Sequence, residues 1–323
     1  MAQKIRWGIV GLGKIATSFV NDLKLVEHAE LTAVASRSQQ KAEAFAKEHG
    51  ARFAFGDYTS LFEHDRVDVV YIATPHTFHA ELAIQAMQHK KHVLCEKPMG
   101  ISLEEVERMV ETATAQKVFL MEALWSRFNP TIRKVKQLVE SGEIGRVRYL
   151  HADFAFYGLD KDPKGRLLNP SLAGGSLLDI GIYPIFLAYL LFGKPQEIIA
   201  RAKFHSTGVE VQTAMLFEYE DKQAILYSGL GNTSQMRAEI SGEDGTIFIE
   251  PRWHEAQAYS LSKNGEETCF DLPATGKGYT HEIEEVINCI ASGKLQSDLW
   301  SHQNSMELMQ LIEAVKRQAD IAF

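Results

Sequence analysis

What this sequence lacks narrows the field first. Three cysteines, Cys95, Cys269 and Cys289, are spread over 323 residues. They are too few and too scattered for a disulfide framework or a zinc site, so a reducing cytoplasm is the expectation. No apolar run is expected to approach the ~20 residues that span a bilayer. Lys4 and Arg6 interrupt the N-terminus where a signal peptide would need its apolar core, so neither membrane nor export is expected. No Lys/Arg cluster or basic aromatic patch occurs, and the net charge is −8. That balance argues against a nucleic-acid surface. No internal repeat or low-complexity segment is visible. His76 and His79 stand close together, but no acid or cysteine nearby completes a ligand set, so no metal is expected.

What is present begins with a glycine loop. Lys4 to Val10 reads as a strand, with Ile5, Trp7, Ile9 and Val10 supplying β-favouring side chains. It runs directly into Gly11-Leu12-Gly13-Lys14-Ile15-Ala16 and then a helical pattern to about residue 24. Gly11 permits the tight turn, Gly13 leaves room for a pyrophosphate, and Ala16 lets helix and strand pack closely. The helix start then presents free N–H groups to phosphate. A lone G-x-G-x-x-A is weak, and an ordinary glycine turn is the bland alternative. The strand before it and the helix after it supply the confirming context.

A second absence follows. The strand Leu31–Ala35 ends in Ser36-Arg37-Ser38. NAD-selective sites place a carboxylate near this point for the ribose 2′-hydroxyl. Here a guanidinium and two hydroxyls stand instead, which suit a 2′-phosphate. NADP(H) is therefore expected over NAD(H), unless Arg37 is merely a solvated loop charge.

Length suggests about two domains, and the 45% hydrophobic content supplies ample core. Helix 39–49, strand 67–73, helix 77–89, strand 92–95, helix 102–115 and strand 117–121 alternate. This rhythm predicts a parallel sheet covered by helices on both faces. Thr74 and His76 then fall at a strand's carboxyl end, beside the cofactor cleft. After Met121 the pattern changes. A helix over 130–141 precedes strands at 146–156, 196–204, 209–219, 222–230, 234–240 and 244–250, with helices at 280–292 and 302–320 closing the chain. The expected domains are 1–121 and 122–323, the second built mainly on an antiparallel sheet.

Two segments carry candidate chemistry. His92-Val-Leu-Cys-Glu-Lys-Pro98 puts Lys97 at the carboxyl end of a buried strand, where ligands of open parallel sheets collect. By itself such a lysine is usually a solvated surface residue. In Gly174–Tyr183, Asp179 and Tyr183 lie four apart, on one face of an otherwise apolar helix spanning Ser176 to Phe192. A buried tyrosine with a local hydrogen-bond partner would explain them. So would a phenolic proton donor for carbonyl reduction, which needs a cation nearby because free phenol titrates near 10. Lys97 could be that cation.

These motifs together resemble the Gfo/Idh/MocA oxidoreductase family over essentially the whole length. The resemblance rests on Gly11–Ala16, Ala73-Thr-Pro-His-Thr-Phe-His79, Glu96-Lys97-Pro98 and Gly174–Tyr183. It implies an N-terminal Rossmann domain and a C-terminal α+β domain with a large, mainly antiparallel open sheet that commonly forms a homodimer. It implies that Lys97 is the catalytic lysine beside the nicotinamide, with Tyr183 as its proton partner and Asp179 positioning substrate. It extends the cofactor contacts to Gly11, Gly13, Lys14, Ile15, Ala16, Ser36, Arg37, Thr74, His76, His79, Glu96 and Arg127. Tyr183, where many members carry His, and Met121–Phe128 resemble the NADP-dependent dihydrodiol and D-xylose dehydrogenase subgroup. There Trp125, Phe154, Trp253 and Tyr279 would form an aromatic wall for a sugar, diol or dicarbonyl. A non-catalytic dinucleotide sensor of the same fold is the rival reading.

Overall fold

A computed structural model describes residues 4–322. The chain begins β1 (Ile5–Val10), α1 (Lys14–Leu23), β2 (Ala29–Ala35), α2 (Gln39–His49), β3 (Phe53–Phe55), α3 (Tyr58–Glu63) and β4 (Val69–Ile72). It continues α4 (His79–Gln88), β5 (His92–Glu96), α5 (Leu103–Gln116), β6 (Leu120–Ala123), α6 (Pro130–Glu140), β7 (Val147–Ala155) and α7 (Ile182–Phe192). The strands β8 (Glu197–Phe204), β9 (Glu210–Glu218), β10 (Gln223–Gly229), β11 (Ala238–Gly242), β12 (Thr246–Ile249), β13 (Ala258–Lys263) and β14 (Glu266–Asp271) follow, then α8 (Thr280–Ala291) and α9 (His302–Gln318). Short β3 and α3, and the hairpin β13–β14, were not expected from the sequence. All six residues of β14 are exposed, so no inward apolar alternation marks it.

Two compact units result. The first combines the described part of Met1–Phe128 with Thr275–Met306; the second combines Asn129–Ala274 with the described part of Glu307–Phe323. This differs from a single break at 121. The physical reason is a set of bonds that the later segment makes inside the first unit. The Asp22 carboxylate on α1 accepts the backbone N–H groups of Lys277, Gly278 and Tyr279, each at 2.9 Å. Arg127 Nε donates to the Leu299 carbonyl at 2.8 Å.

The sheet of the first unit has the order β3-β2-β1-β4-β5-β6, with all neighbours parallel. The chain builds outward from β1 to β3, then crosses back to β4, so strand order reverses between β1 and β4. Ligands of such sheets bind outside the carboxyl ends at that reversal. Strand β4 is buried at every position, as a strand covered on both faces must be.

The second unit is built on an eight-stranded sheet of order β14-β13-β12-β11-β7-β10-β9-β8, in which only β7 and β10 pair in parallel. Register places Ile199, Leu216 and Ile225 in one row across β8, β9 and β10. Ile199 and Ile225 are 41% and 45% exposed. Against this unit packs α7, apolar on all sides and largely buried. The helical stretch Pro170–Phe192 is, by length and composition, apolar enough to cross a membrane, which corrects the expectation that no run is long enough. It is 83% buried within the structure, as a core helix is.

Glu210 fixes the start of this stretch. Its carboxylate accepts Ser176 Oγ–H at 2.7 Å and the Leu177 N–H at 2.5 Å. Burial pushes its pKa from 4.5 up to about 7, while these donors act the other way. Between those values the folded protein holds a proton that the unfolded chain has released. Stability is therefore highest below the unfolded pKa and is lost as pH rises through about 7. Wild type should lose up to ~3 kcal/mol over this window through Glu210, a loss absent from Glu210→Gln. Urea unfolding at acid and at mildly alkaline pH checks this; identical pH slopes for the two proteins would refute it.

Candidate active site

The glycine loop separates two requirements. Gly11 sits at φ +88°, and a Cβ there would lie 2.7 Å from the Ala73 carbonyl carbon and oxygen. The turn and the close approach of β1 to the end of β4 therefore demand glycine. Gly13 is different: its backbone is extended, it caps α1 with no side-chain bond, and a Cβ would meet nothing within 4 Å. The space is open, and the N–H groups of Lys14, Ile15 and Ala16 face the helix start where an anion is favoured. Lys14 and Ile15 are exposed, and Ala16 is buried against the sheet. Thr74 Oγ1 and Thr77 Oγ1, just past β4, are buried without a hydrogen-bond partner in the described residues. An open cradle with orphaned hydroxyls at the same sheet edge fits a dinucleotide.

At the end of β2, Ser36 Oγ accepts the Ser38 N–H at 3.4 Å, and Ser38 Oγ accepts the Lys41 N–H to cap α2. Arg37 is exposed, and among the described residues no ion pair engages it. The nearby Tyr58 phenol is pushed up by burial, which the Arg37 charge opposes.

Lys97 follows β5, half-buried, in a Glu96-Lys97-Pro98-Met99 turn fixed from three sides. Tyr71 Oη on β4 donates to Glu96. Glu122 Oε1 on β6 accepts the Met99 N–H at 3.0 Å. His79 on α4 lies with Nδ1 at 2.8 Å from the Pro98 carbonyl and Nε2 at 2.9 Å from that of Thr74. Burial pushes the His79 pKa down, with Lys97 acting in the same direction and the two carbonyls opposing. A neutral ring has one N–H and so donates to one carbonyl. Wholly buried, His79 corrects the expectation of a cofactor contact: it braces the loops that carry Thr74 and Lys97. His76 stands beside it, ring centres 5.7 Å apart.

Trp125 and Tyr279 stack at 4.7 Å within the first unit, so two of the four expected aromatic residues are brought together. Asp22 places the second of them by taking the Tyr279 N–H. Glu282 on α8 is fully buried, and neither oxygen has a partner among the described residues. Burial pushes its pKa well up, and the charges of Glu96 and Asp22 add to the effect. Arg127 is buried and spends its Nε on Leu299.

In the second unit the helix bearing Asp179 does not start as a plain α-helix. Leu177–Gly181 forms a π turn, with α7 continuing from Ile182. Such wide turns recur at functional positions. Asp179 is ion-paired to Arg166 from the preceding loop, a residue the sequence reading missed. Tyr183 lies 5.5 Å from Phe154 and 5.4 Å from His254, ring centre to ring centre, while Phe154 and His254 stack at 4.1 Å. Trp253 corrects the expected wall. It is fully buried, and its Nε1 donates to the Asp153 carbonyl at 2.8 Å. The residue beside it, His254, joins Phe154 and Tyr183 instead.

Comparison with known proteins agrees with this geometry. Residues 5–124 match the model of an oxidoreductase family with an NAD-binding Rossmann fold, and residues 132–248 that of the GFO/IDH/MocA C-terminal domain. The chain is 35% identical to scyllo-inositol 2-dehydrogenase (NADP(+)) IolU of Bacillus subtilis, covering 99% of this chain and 98% of that one. It is 34% identical to trans-1,2-dihydrobenzene-1,2-diol dehydrogenase of Danio rerio, with the same coverage. Among solved structures it resembles KijD10, a 3-ketoreductase from Actinomadura kijaniata in complex with NADP and TDP-benzene. That match has a TM-score of 0.90 and 27% identity, covering 98% of each chain.

The two glycines should respond differently to a methyl group. Gly13→Ala places its Cβ in open space, so melting should barely change while dinucleotide affinity falls about tenfold or more, ~1.4 kcal/mol. Gly11→Ala meets the Ala73 backbone and should lower stability itself. Calorimetric cofactor titration beside thermal melting checks both; unchanged affinity in Gly13→Ala would show that the cradle holds nothing.

Proposed function

The chain belongs to the Gfo/Idh/MocA oxidoreductase family, and from that membership we propose an NADP(H)-dependent dehydrogenase acting on a sugar or diol hydroxyl, or on the matching carbonyl. The observation that carries the reading is one sheet edge. In the order β2-β1-β4-β5, the carboxyl ends bring Arg37, the Gly11–Ala16 loop, Thr74 and Lys97 to the same side of the sheet.

Gly13 and the first N–H groups of α1 bind the pyrophosphate. Arg37, with Ser36 and Ser38, takes the 2′-phosphate, in keeping with relatives named for NADP(+). The bound cofactor supplies the hydride donor or acceptor. Lys97 presents its ammonium where negative charge develops on the substrate oxygen. Tyr183 exchanges the hydroxyl proton, accepting it in oxidation and returning it in reduction. Asp179, held by Arg166, orients substrate hydroxyls rather than serving as the base. Trp125 and Tyr279 offer an aromatic face to the apolar side of a ring. The half-exposed row Ile199–Leu216–Ile225 supports reading the open sheet as the contact of a homodimer.

Lys97→Met should cut turnover by ~10²–10⁴ with NADPH affinity kept, and Tyr183→Phe should fall in the same range. Cofactor absorbance, followed with NADP⁺ and with NAD⁺ against aldoses, inositols and diols, checks both. Full activity in either variant removes that residue from the chemistry, and tighter NAD⁺ binding removes the role of Arg37. Tight NADPH binding without turnover on any substrate would favour a sensor. Sedimentation velocity tests the dimer: a monomer at micromolar concentration, or an Ile225→Asp variant that stays dimeric, would overturn that assignment.

A further inference from the structure

We propose that Glu122 is a positioning residue for Lys97: its carboxylate pins the turn that carries the lysine and supplies the negative charge that keeps the ammonium protonated. This rests on the dehydrogenase reading for Lys97. Glu122 lies on β6, buried, in register with Cys95 one strand away. Oε1 accepts the Met99 N–H at 3.0 Å, two residues past Lys97. Oε2 accepts Ser305 Oγ–H at 2.7 Å and Trp300 Nε1–H at 3.1 Å. The Met99 and Trp300 groups can only donate, so both oxygens are surrounded as a carboxylate requires. Burial raises the Glu122 pKa, while these donors and the Lys97 charge pull it back.

No step assigned above uses Glu122, yet such a buried charge is costly to keep. A buried ion costs several kcal/mol unless partners compensate. Here three hydrogen bonds compensate, and the Lys97 charge acts in the same direction.

The other titratable groups around this turn are Tyr71 on β4, His79 on α4, Cys95 and Glu96 on β5, Glu105 on α5, Glu282 on α8 and His302 at the start of α9. Glu96 receives the Tyr71 hydroxyl and the Lys97 N–H. Glu105 is occupied with the Ile101 N–H, and His302 with the Leu120 carbonyl. Among the described residues, Glu122 is the carboxylate that bonds the turn beyond Lys97.

Glu122→Gln keeps the volume and removes the charge. The ammonium of Lys97 then loses a stabilising neighbour, so the alkaline limb of the kcat profile should move to lower pH by on the order of 0.5–1 unit. NADPH affinity should stay within about twofold, since no cofactor contact is removed. The same shift should appear without catalysis, in the pH dependence of Lys97 acetylation by acetic anhydride, read by mass spectrometry on the cofactor-free protein. A lower melting temperature with both profiles unmoved would reduce Glu122 to a structural part and overturn the proposal. Should Glu122→Gln not fold, Glu122→Asp withdraws the charge by one methylene. A smaller shift in the same direction supports the proposal, and an unmoved Lys97 profile overturns it. A wild type inactive on every substrate would sink the dehydrogenase reading, whereas an active wild type with unshifted variants sinks this inference alone.

Discussion

The first unit is organised around how β5 ends. A lysine leaving a buried strand is useful only if the turn beneath it cannot move. Here the turn is held by side chains from three other elements: Tyr71 on β4, His79 on α4 and Glu122 on β6. Each of them is buried, so each bond is made away from competing water, where a missing partner would leave a polar group stranded. The Glu122 carboxylate in turn needs the donors Trp300 and Ser305, which the chain delivers almost two hundred residues later. The segment after Thr275 is therefore a structural part of the first unit, as its contacts show.

The same device recurs. Three buried acids each collect backbone N–H groups and thereby fix a turn that presents candidate chemistry. Asp22 takes Lys277 through Tyr279 and sets Tyr279 against Trp125. Glu122 takes Met99 next to Lys97. Glu210 takes Leu177 at the head of the helical stretch bearing Asp179 and Tyr183. Hydrogen bonds contribute ~0.5–1.5 kcal/mol each, and more where the acceptor is charged, enough to hold an irregular turn that regular ladders cannot reach. Gly276, at φ +63°, and Gly175, at φ +122°, stand beside Asp22 and Glu210, where a Cβ would strike the carboxylate. Glycine there gives the backbone room to close around the acid.

Much of this was legible in the sequence, because periodicity and punctuation report what they cause. The glycine loop, the βα alternation, the carboxyl-end position of Lys97 and the antiparallel second sheet follow from local signals. What escaped depends on long-range pairing. His79 reads as a cleft residue until the carbonyls of Thr74 and Pro98 close on its ring. Trp253 reads as an aromatic wall until Asp153 takes its N–H, turning the indole inward and leaving His254 beside Tyr183. Two adjacent residues of a short turn take different partners, and composition alone favours the wrong one. Arg166 lay in a loop with no periodic signal at all.

That arginine sets Asp179 apart from Tyr183 on the same helical stretch. An ordinary aspartate titrates near 3.9 and is a weak base at neutral pH. Arg166 pairs with Asp179, a charge-assisted contact that holds the carboxylate in place. The pair therefore suits holding and orienting hydroxyl groups. Tyr183 stands in other surroundings, four residues on and among the rings of Phe154 and His254. The acid is matched with a guanidinium and the phenol with aromatic rings, so the two positions on this stretch are suited to different tasks.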